Sequence, residues 1–475
     1  MKTIFYLLFL SLFIISCHKK TEKTHNDEIK KPNIVFILAD QWRAQSTGYA
    51  GNPNVKTPNL DKLASEGICF TNTVSTSPVC TPYRAMLLTG LYVLKNGMFM
   101  NDLSLNPKAN SFAKLFKEEG YHTAYIGKWH LDGHGRSAYI PKERRQGFDY
   151  WKALECSHKY HNSSYWGNDD KLHQWEGYDA EAQTKDAIAY IEKQSKSKKP
   201  FSLILAWGPP HAPYQTAPKE FQDVYKNVDI QLRPNVPEEL AENTKTLLKG
   251  YYAHCSALDS YIQQLQDAIK RSNIENNTIF VFTSDHGDMI NSHGKKKKQQ
   301  IYEESAKVPF ILKYPALFGK EGKKSDFLLN TLDILPTMLG MSGISIPKGL
   351  DGENITDIIL EKKEDHRKAS LVACIQPFGQ WKRKNGGKEF RGIITKTHTY
   401  AKDLEGEWLL FDNVADPYQL NNLIENPTYN SISKNLEKLL EEKLNRLDDA
   451  FLPGQTYIEK WGHTVDSTGT VPYQW

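Results

Sequence analysis

Four short apolar runs in this 475-residue chain end in side chains that bind ions or move protons. NIVFILA (33–39) runs into Asp40 and Gln41, and TIFVFTS (278–284) runs into Asp285 and His286. YHTAYIG (121–127) leads to Lys128-Trp129-His130, and FSLILAW (201–207) leads to Gly208-Pro209-Pro210-His211. Taken singly, an Asp or His after a strand often only caps a turn or a helix. Together, Asp40, Gln41, Asp285 and His286 form an oxygen-rich set able to hold a divalent cation, while Lys128, His130 and His211 suit an anionic substrate. Between the first two runs, SPVCTPYRAMLLTG (77–90) carries Cys80, one turn ahead of Arg84, with no cysteine or histidine close by in sequence.

The elements that must bring these groups together are legible. From about residue 33 to 340, short apolar runs alternate with helical patterns such as SFAKLFKEEG, closed by Gly120. The expected fold is α/β, a large, mostly parallel sheet flanked by helices on both faces. Ligands of such sheets bind beyond the carboxyl ends of the strands, where all four polar endings fall. No internal repeat is present. The segment 156–180, rich in His, Asn, Gly and aromatics, reads as a long loop or insertion near that open edge. After about residue 365 the pattern becomes short alternating strands with turns, followed by apolar residues at helical spacing over 431–450. The expected division is a catalytic domain over 32–365 and a smaller C-terminal α+β subdomain with an antiparallel sheet over 366–475.

The N-terminus reads as an export signal. Lys2 precedes twelve nearly unbroken apolar residues, 4–15, a run too short to span a bilayer. It ends at Ser16-Cys17, which resembles a bacterial lipoprotein signal: 1–16 removed, Cys17 lipidated, and 17–31 a hydrophilic tether. A plain secretory signal with an incidental cysteine is the alternative. The lipoprotein reading puts the chain in a bacterial cell envelope, held to the membrane through its lipid alone and facing the periplasm or the cell surface. With 60 Lys and Arg against 56 Asp and Glu, the net charge of +4 excludes a strongly basic nucleic-acid binder but allows a local basic pocket. Cys69, Cys156, Cys255 and Cys374 lack CxxC spacing, which argues against a zinc site and leaves pairing and buried free thiols both open.

The block Cys80-Thr81-Pro82-Tyr83-Arg84, followed by Leu88-Thr89-Gly90, is similar to the C-x-P-x-R-x(4)-T-G signature of formylglycine-dependent sulfatases in the alkaline-phosphatase superfamily. The resemblance extends through NIVFILADQWR, GYHTAYIGKWHLD, PPHAPY, FTSDHGDMINSHG, YEESAKVPF and LLFDNVADPYQLNNL, nearly the whole chain beyond the signal. It implies an alkaline-phosphatase-like sheet. It also implies that a maturase, reading Pro82 and Arg84, oxidises Cys80 to formylglycine (3-oxoalanine), which explains a lone cysteine. Of the two hydroxyls of the hydrated aldehyde, one would attack sulfur and the other would expel sulfate as the aldehyde reforms.

Roles follow position by position from the resemblance. Asp40, Gln41, Asp285 and His286, with the residue derived from Cys80, resemble the ligands of one metal ion, Ca2+ being expected. Arg84 and Lys128 would hold the formylglycine oxygens and His130 would be the base. His211, the general acid, and Lys298 would face the bridging oxygen and the sulfate. Lys298 is placed by the family tyrosine at Tyr302, four residues on; read alone, its run of four lysines is a solvated basic loop. Many members carry Asp-Asp and Asp-Asn where this chain has Asp40-Gln41 and Asp285-His286. The imidazole also suits manganese or zinc, and a phosphonate or phosphate ester hydrolase on the same sheet remains an alternative. A silent glycan-binding lipoprotein is another. The expected substrate is a sulfated polysaccharide or its oligosaccharides, algal ones such as ulvan or carrageenan being favoured. Two segments offer rings and charges for sugars: 156–180, with His158, Tyr160, His161, Tyr165, Trp166, His173 and Trp175, and 376–391, with Trp381, Lys382, Arg383, Lys384, Lys388 and Arg391.

Overall fold

The strands expected from the four apolar runs are Asn33–Asp40, His122–Lys128, Phe201–Pro210 and Thr278–Ser284. They come from a computed structural model that describes residues 31–474; the signal segment, Cys17 and nearly all of the tether lie outside the described residues. The four strands lie side by side and parallel, in the order Thr278–Ser284, Asn33–Asp40, Phe201–Pro210, His122–Lys128, at the centre of a ten-stranded sheet. Parallel register brings their carboxyl ends to one edge, so residues some 240 positions apart in the chain meet there.

Each strand is buried on both faces, which is why the runs are continuously apolar rather than alternating. From the first strand, Ile34, Phe36 and Leu38 enter one core, where they join Ala85, Met86 and Leu88 of the helix Cys80–Thr89. Val35, Ile37 and Ala39 point the other way, into a second core formed with the 31-residue helix Ala241–Arg271.

The sheet continues on one side through Phe310–Lys313, Ile68–Phe70 and Lys323–Ser325 and on the other through Tyr150–Leu154, Ser164–Trp166 and Leu172–Gln174. The last two strands lie inside the segment 156–180, whose remaining residues up to the helix at 179 are irregular, as expected of a loop or insertion. The two strands form an antiparallel hairpin at the sheet edge. The aromatic stretch Ser164-Tyr165-Trp166 has strand propensity, and Gly167-Asn168-Asp169-Asp170 supplies turn residues between the two strands.

The C-terminal part forms the antiparallel sheet Ser370–Cys374, Phe390–Ile394, His398–Asp403 and Gly406–Asp412, in sequence order. Helix Asn430–Leu447 packs Leu436, Leu440, Leu444 and Leu447 as a stripe into the same core that takes Ile393, Tyr400 and Leu410. A buried ion pair, Arg391 with Asp449, reinforces the join, and Tyr92 Oη donates to the same aspartate at 2.8 Å. Cys69, Cys80, Cys156, Cys255 and Cys374 are all buried free thiols, so the question of pairing resolves against disulfides among the described residues. Among these residues no helix is long and apolar enough to cross a membrane.

Candidate active site

Cys80 is the first residue of its helix, and Pro82 stands in the first turn, where a missing N–H breaks no helical hydrogen bond. That turn is tied to neighbouring loops through Thr81. Thr81 N donates to Asn101 Oδ1 at 3.0 Å, and Thr81 Oγ1 donates to the His130 carbonyl at 2.8 Å. The thiol is 1% exposed.

Four groups from the strand ends and one loop converge on this sulfur. Lys298 Nζ lies 3.0 Å from Sγ, His286 Nε2 3.2 Å, Lys128 Nζ 3.6 Å and Asp40 Oδ1 3.7 Å. Arg84, one turn along the helix, donates through Nη2 to Asp40 Oδ2 at 3.1 Å and Asp285 Oδ2 at 3.2 Å. Its Nη1 donates to the Lys128 carbonyl at 2.7 Å, while Lys128 Nζ reaches Asp40 Oδ2 at 2.6 Å. The charges respond accordingly. Burial raises Asp40, but Lys128, His211, Lys298 and Arg84 outweigh it and hold the carboxyl well below the usual range. Burial and the neighbouring Asp40 push Asp285 up to about 6. Burial opposes the charge on Lys128, yet Asp40 keeps it raised.

The same groups fit a divalent cation. One ligand atom from each of Asp40, Cys80, Asp285 and His286 lies within 4.8 Å of the others, and all four residues are buried. Gln41 is held in the left-handed region at φ 71°. Its backbone N donates to Asp285 Oδ1 at 3.0 Å and its Nε2 to Asp288 Oδ2 at 2.6 Å. That leaves Gln41 Oε1 buried with no hydrogen-bond partner. The unsatisfied amide oxygen of Gln41, next in sequence to Asp40, with two carboxylates and an imidazole would make a donor set that hard cations prefer, the imidazole also admitting transition metals. Asp288, which also accepts from Tyr214 Oη, is a supporting residue that sequence reasoning did not single out.

Lys298 is 5% exposed, although it ends a run of four lysines. Its neighbours are pinned. Met289 N donates to the Lys297 carbonyl at 2.7 Å, and Gln299 exchanges two side-chain hydrogen bonds of 3.1 Å with the backbone of Phe378. Lys297 and Gln299 both adopt positive φ, 58° and 67°, so the backbone kinks on either side and delivers Lys298 to the sulfur.

His211 and His130 flank this centre. His211 Nδ1 lies 2.8 Å from the Ala212 carbonyl and therefore donates, which leaves Nε2 as the free nitrogen. Its ring stacks on His158 at 4.3 Å, planes 7° apart. Burial, then Lys298 and His158, pull His211 well below its ordinary value; burial with Lys128 and Lys298 takes His158 to about 3. His130 sits at φ 57° with Nε2 3.3 Å from Asp102 Oδ1, and its Nδ1 is buried without a partner. Burial lowers His130, but Cys156, Asp102 and Cys80 outweigh it and raise the imidazole to about 10.

The residues proposed for sugars are distributed differently. Trp166 is half-buried, donates to the Ser137 carbonyl at 3.1 Å and packs edge-on against Tyr139. Trp175 is buried and stacks on Tyr165, so it supports the hairpin from within. Trp381 donates to the Lys296 carbonyl at 2.9 Å, with Lys295 Nζ over its ring, which joins the C-terminal sheet's loop to the loop of Lys298. Arg383 is held by Glu389 and Gln376. A cavity of about 560 Å³ lined by Arg43, Arg233, Lys307 and Tyr418 contains none of the groups around Cys80. The converging chemistry, rather than volume, marks the site.

A buried thiol at a helix start, ringed by cations at the carboxyl edge of a parallel sheet, is suited to an anionic ligand. The Sulfatase family model matches residues 32–344, and the model of the C-terminal part of N-sulphoglucosamine sulphohydrolase matches 291–446. The chain is 44% identical to the ulvan-active sulfatase of Formosa agariphila, covering 98% of this chain and 92% of that protein. It is 31% identical to the endo-4-O-sulfatase of Bacteroides thetaiotaomicron, over 85% of this chain and 90% of that one. A solved structure in complex with its substrate D-glucosamine-2-N,6-O-disulfate matches with a TM-score of 0.79 and 25% identity, covering 89% of this chain and 99% of that chain. The chain belongs to the sulfatase family and is a sulfuric ester hydrolase.

Crowding cations in the interior serves ligand binding at the expense of stability. Lys298→Met is expected to lower kcat/KM on a small aryl sulfate by about a hundredfold or more while leaving the melting temperature unchanged or higher. Unimpaired turnover in this variant would mean that Lys298 is a bystander.

Proposed function

We propose that the protein is a formylglycine-dependent sulfatase that removes sulfate from a sulfated polysaccharide or its oligosaccharides, algal glycans such as ulvan or carrageenan being favoured. The observation that carries this reading is the convergence of Lys298, His286 and Lys128 on Cys80 Sγ within 3.6 Å. A nucleophile beside an anionic sulfate needs that density of positive charge, because two negative partners must approach each other. The similarity to an ulvan-active sulfatase and to a structure holding a disulfated glucosamine supports the glycan class.

In this reading, Cys80 is oxidised by a maturase, and the hydrated aldehyde supplies two hydroxyls where the thiol now stands. Asp40, Gln41, Asp285 and His286 would hold one divalent cation, calcium by its preference for oxygen donors, and the bound ion supplies further positive charge at the reacting oxygens. Arg84 and Lys128 orient the nucleophile. Lys298 binds sulfate oxygens. His211, its Nδ1 committed to Ala212, delivers a proton through Nε2 to the departing sugar oxygen. Burial and Lys298 keep this imidazole neutral in the free protein, so it takes up that proton once the sulfate brings in negative charge. In this reading the conversion of Cys80 removes one of the groups that hold His130 protonated, and the imidazole, neutral at that step, accepts the proton of the second hydroxyl as sulfate leaves.

Outside the described residues, we infer a lipid anchor at Cys17 in a bacterial cell envelope; Cys17→Ser should move the protein from the membrane to the soluble fraction, and an unchanged membrane fraction would refute the anchor.

Sulfate release from a panel of defined sulfated oligosaccharides tests the proposal. Matured wild type should desulfate at least one, and both Cys80→Ala and chelator treatment should reduce release by about a thousandfold or more. Full activity in Cys80→Ala, or a strong preference for a phosphonate monoester, would overturn it.

The leaving group separates the role of His211 from mere substrate binding. His211→Ala should cost about a hundredfold or more on a sugar sulfate, whose alcohol needs protonation, and less than about tenfold on an activated aryl sulfate. Equal losses on both substrates would remove His211 as the acid.

A further inference from the structure

His130 does not stand alone. Its Nε2 faces Asp102 Oδ1 at 3.3 Å, and Asp102 in turn accepts both prongs of Arg136, Nε to Oδ1 and Nη2 to Oδ2, each at 2.9 Å. All three residues are buried. Both members of the His–Asp pair occupy the left-handed region, Asp102 at φ 64° and His130 at φ 57°. That conformation is uncommon for residues other than glycine, Asp and His being among those that adopt it most readily. The Asp102 and His130 loops are both stitched to the start of the Cys80 helix through Asn101 and Thr81.

The end of the chain closes this relay. Arg136 N donates to the Gln474 carbonyl at 2.7 Å, and the Arg136 guanidinium lies 3.4 Å from the centroid of the Tyr473 ring. Further back, Thr470 Oγ1 accepts from Gly379 N at 3.1 Å, which fastens the C-terminal segment to the loop after Ser370–Cys374. A bidentate Arg–carboxylate pair fixes the plane of the carboxylate as well as its charge. The aromatic face keeps the guanidinium in that plane. With Asp102 so fixed, Nε2 of His130 is committed and its partnerless Nδ1 is left for a second proton acceptor or donor.

We propose that Asp102 and Arg136 are positioning residues for His130, and that Tyr473 and Gln474 are a C-terminal clasp that holds the pair in place. The inference rests on the proposed role of His130 as a proton acceptor. It concerns residues that lie in irregular segments far apart in the chain, 102, 136 and 473–474, and it gives Tyr473 and Gln474 a part in positioning His130.

Kinetics on a small aryl sulfate, with formylglycine content matched between variants by mass spectrometry, test it together with a crystal structure of Tyr473→Ala. Asp102→Asn should lower kcat about a hundredfold with KM within about twofold of wild type. Tyr473→Ala should lower kcat about tenfold with KM unchanged, and Tyr473→Phe, which keeps the ring face, should restore it. In the Tyr473→Ala crystal structure, the Arg136 fork should be off Asp102 and the His130 ring rotated. Wild-type kcat in Tyr473→Ala, a loss confined to KM, an equal loss in Tyr473→Phe, or an unmoved His130 ring would each overturn the clasp. If matured wild type fails to turn over any sulfate ester, the reading of function fails, and the His130 ring position in the crystal structure alone decides the clasp.

Discussion

Positive charge held inside the protein is the constraint around which this molecule is organised. Arg84, Lys128 and Lys298 are each at most 7% exposed, and they share the vicinity of one sulfur with the carboxylates Asp40 and Asp285. Buried charge is expensive unless paired and hydrogen-bonded. The pairing here is deliberate in its geometry: Asp40 Oδ2 takes both Arg84 and Lys128, and Asp285 takes the other contact of Arg84. Lys298, by contrast, points its ammonium at Cys80 Sγ. An anionic ester entering the site meets charge that the fold has already desolvated and oriented, the condition under which electrostatic stabilisation is largest.

The fold serves that constraint by bringing distant segments to one edge. Four parallel strands deliver Asp40, Lys128, His211 and Asp285 within a few residues of their carboxyl ends, and a helix start delivers Cys80. The smaller sheet contributes from outside. Phe378 pins Gln299 next to Lys298, and Trp381 caps the same loop through Lys296. The C-terminal region therefore helps to shape the candidate active site through the loop of Lys298. Its loop is also the place where a longer glycan would meet the protein on the proposed reading.

The sequence revealed unequal parts of this. Strand ends were readable because both faces of each strand are buried, so an apolar run that stops at Asp40 or Asp285 marks both element and site. The C-terminal sheet and helix were readable from alternation and from the leucine spacing in 430–447. Burial of Lys298 was not, since the contacts that hold it come from Phe378 and Met289, far along the chain; only the family block around Tyr302 located it. Asp102 and Arg136 lie in irregular backbone where no periodicity flags a residue, and their pairing exists only in three dimensions. The hairpin over 164–174 is not legible as strands, because each is three residues long and turn-forming residues dominate the segment.

The central claim is that the charge gathered around Cys80 exists to hold the sulfate group of a sugar ester. A crystal structure of Cys80→Ser, loaded with metal and soaked with a sulfated oligosaccharide that wild type desulfates, tests it most directly. The account predicts sulfate oxygens within hydrogen-bond distance of Lys128 and Lys298, with the bridging oxygen towards His211 Nε2. Sulfate bound elsewhere, for instance against Arg233 and Lys307, with the Cys80 pocket free of it, would contradict the account.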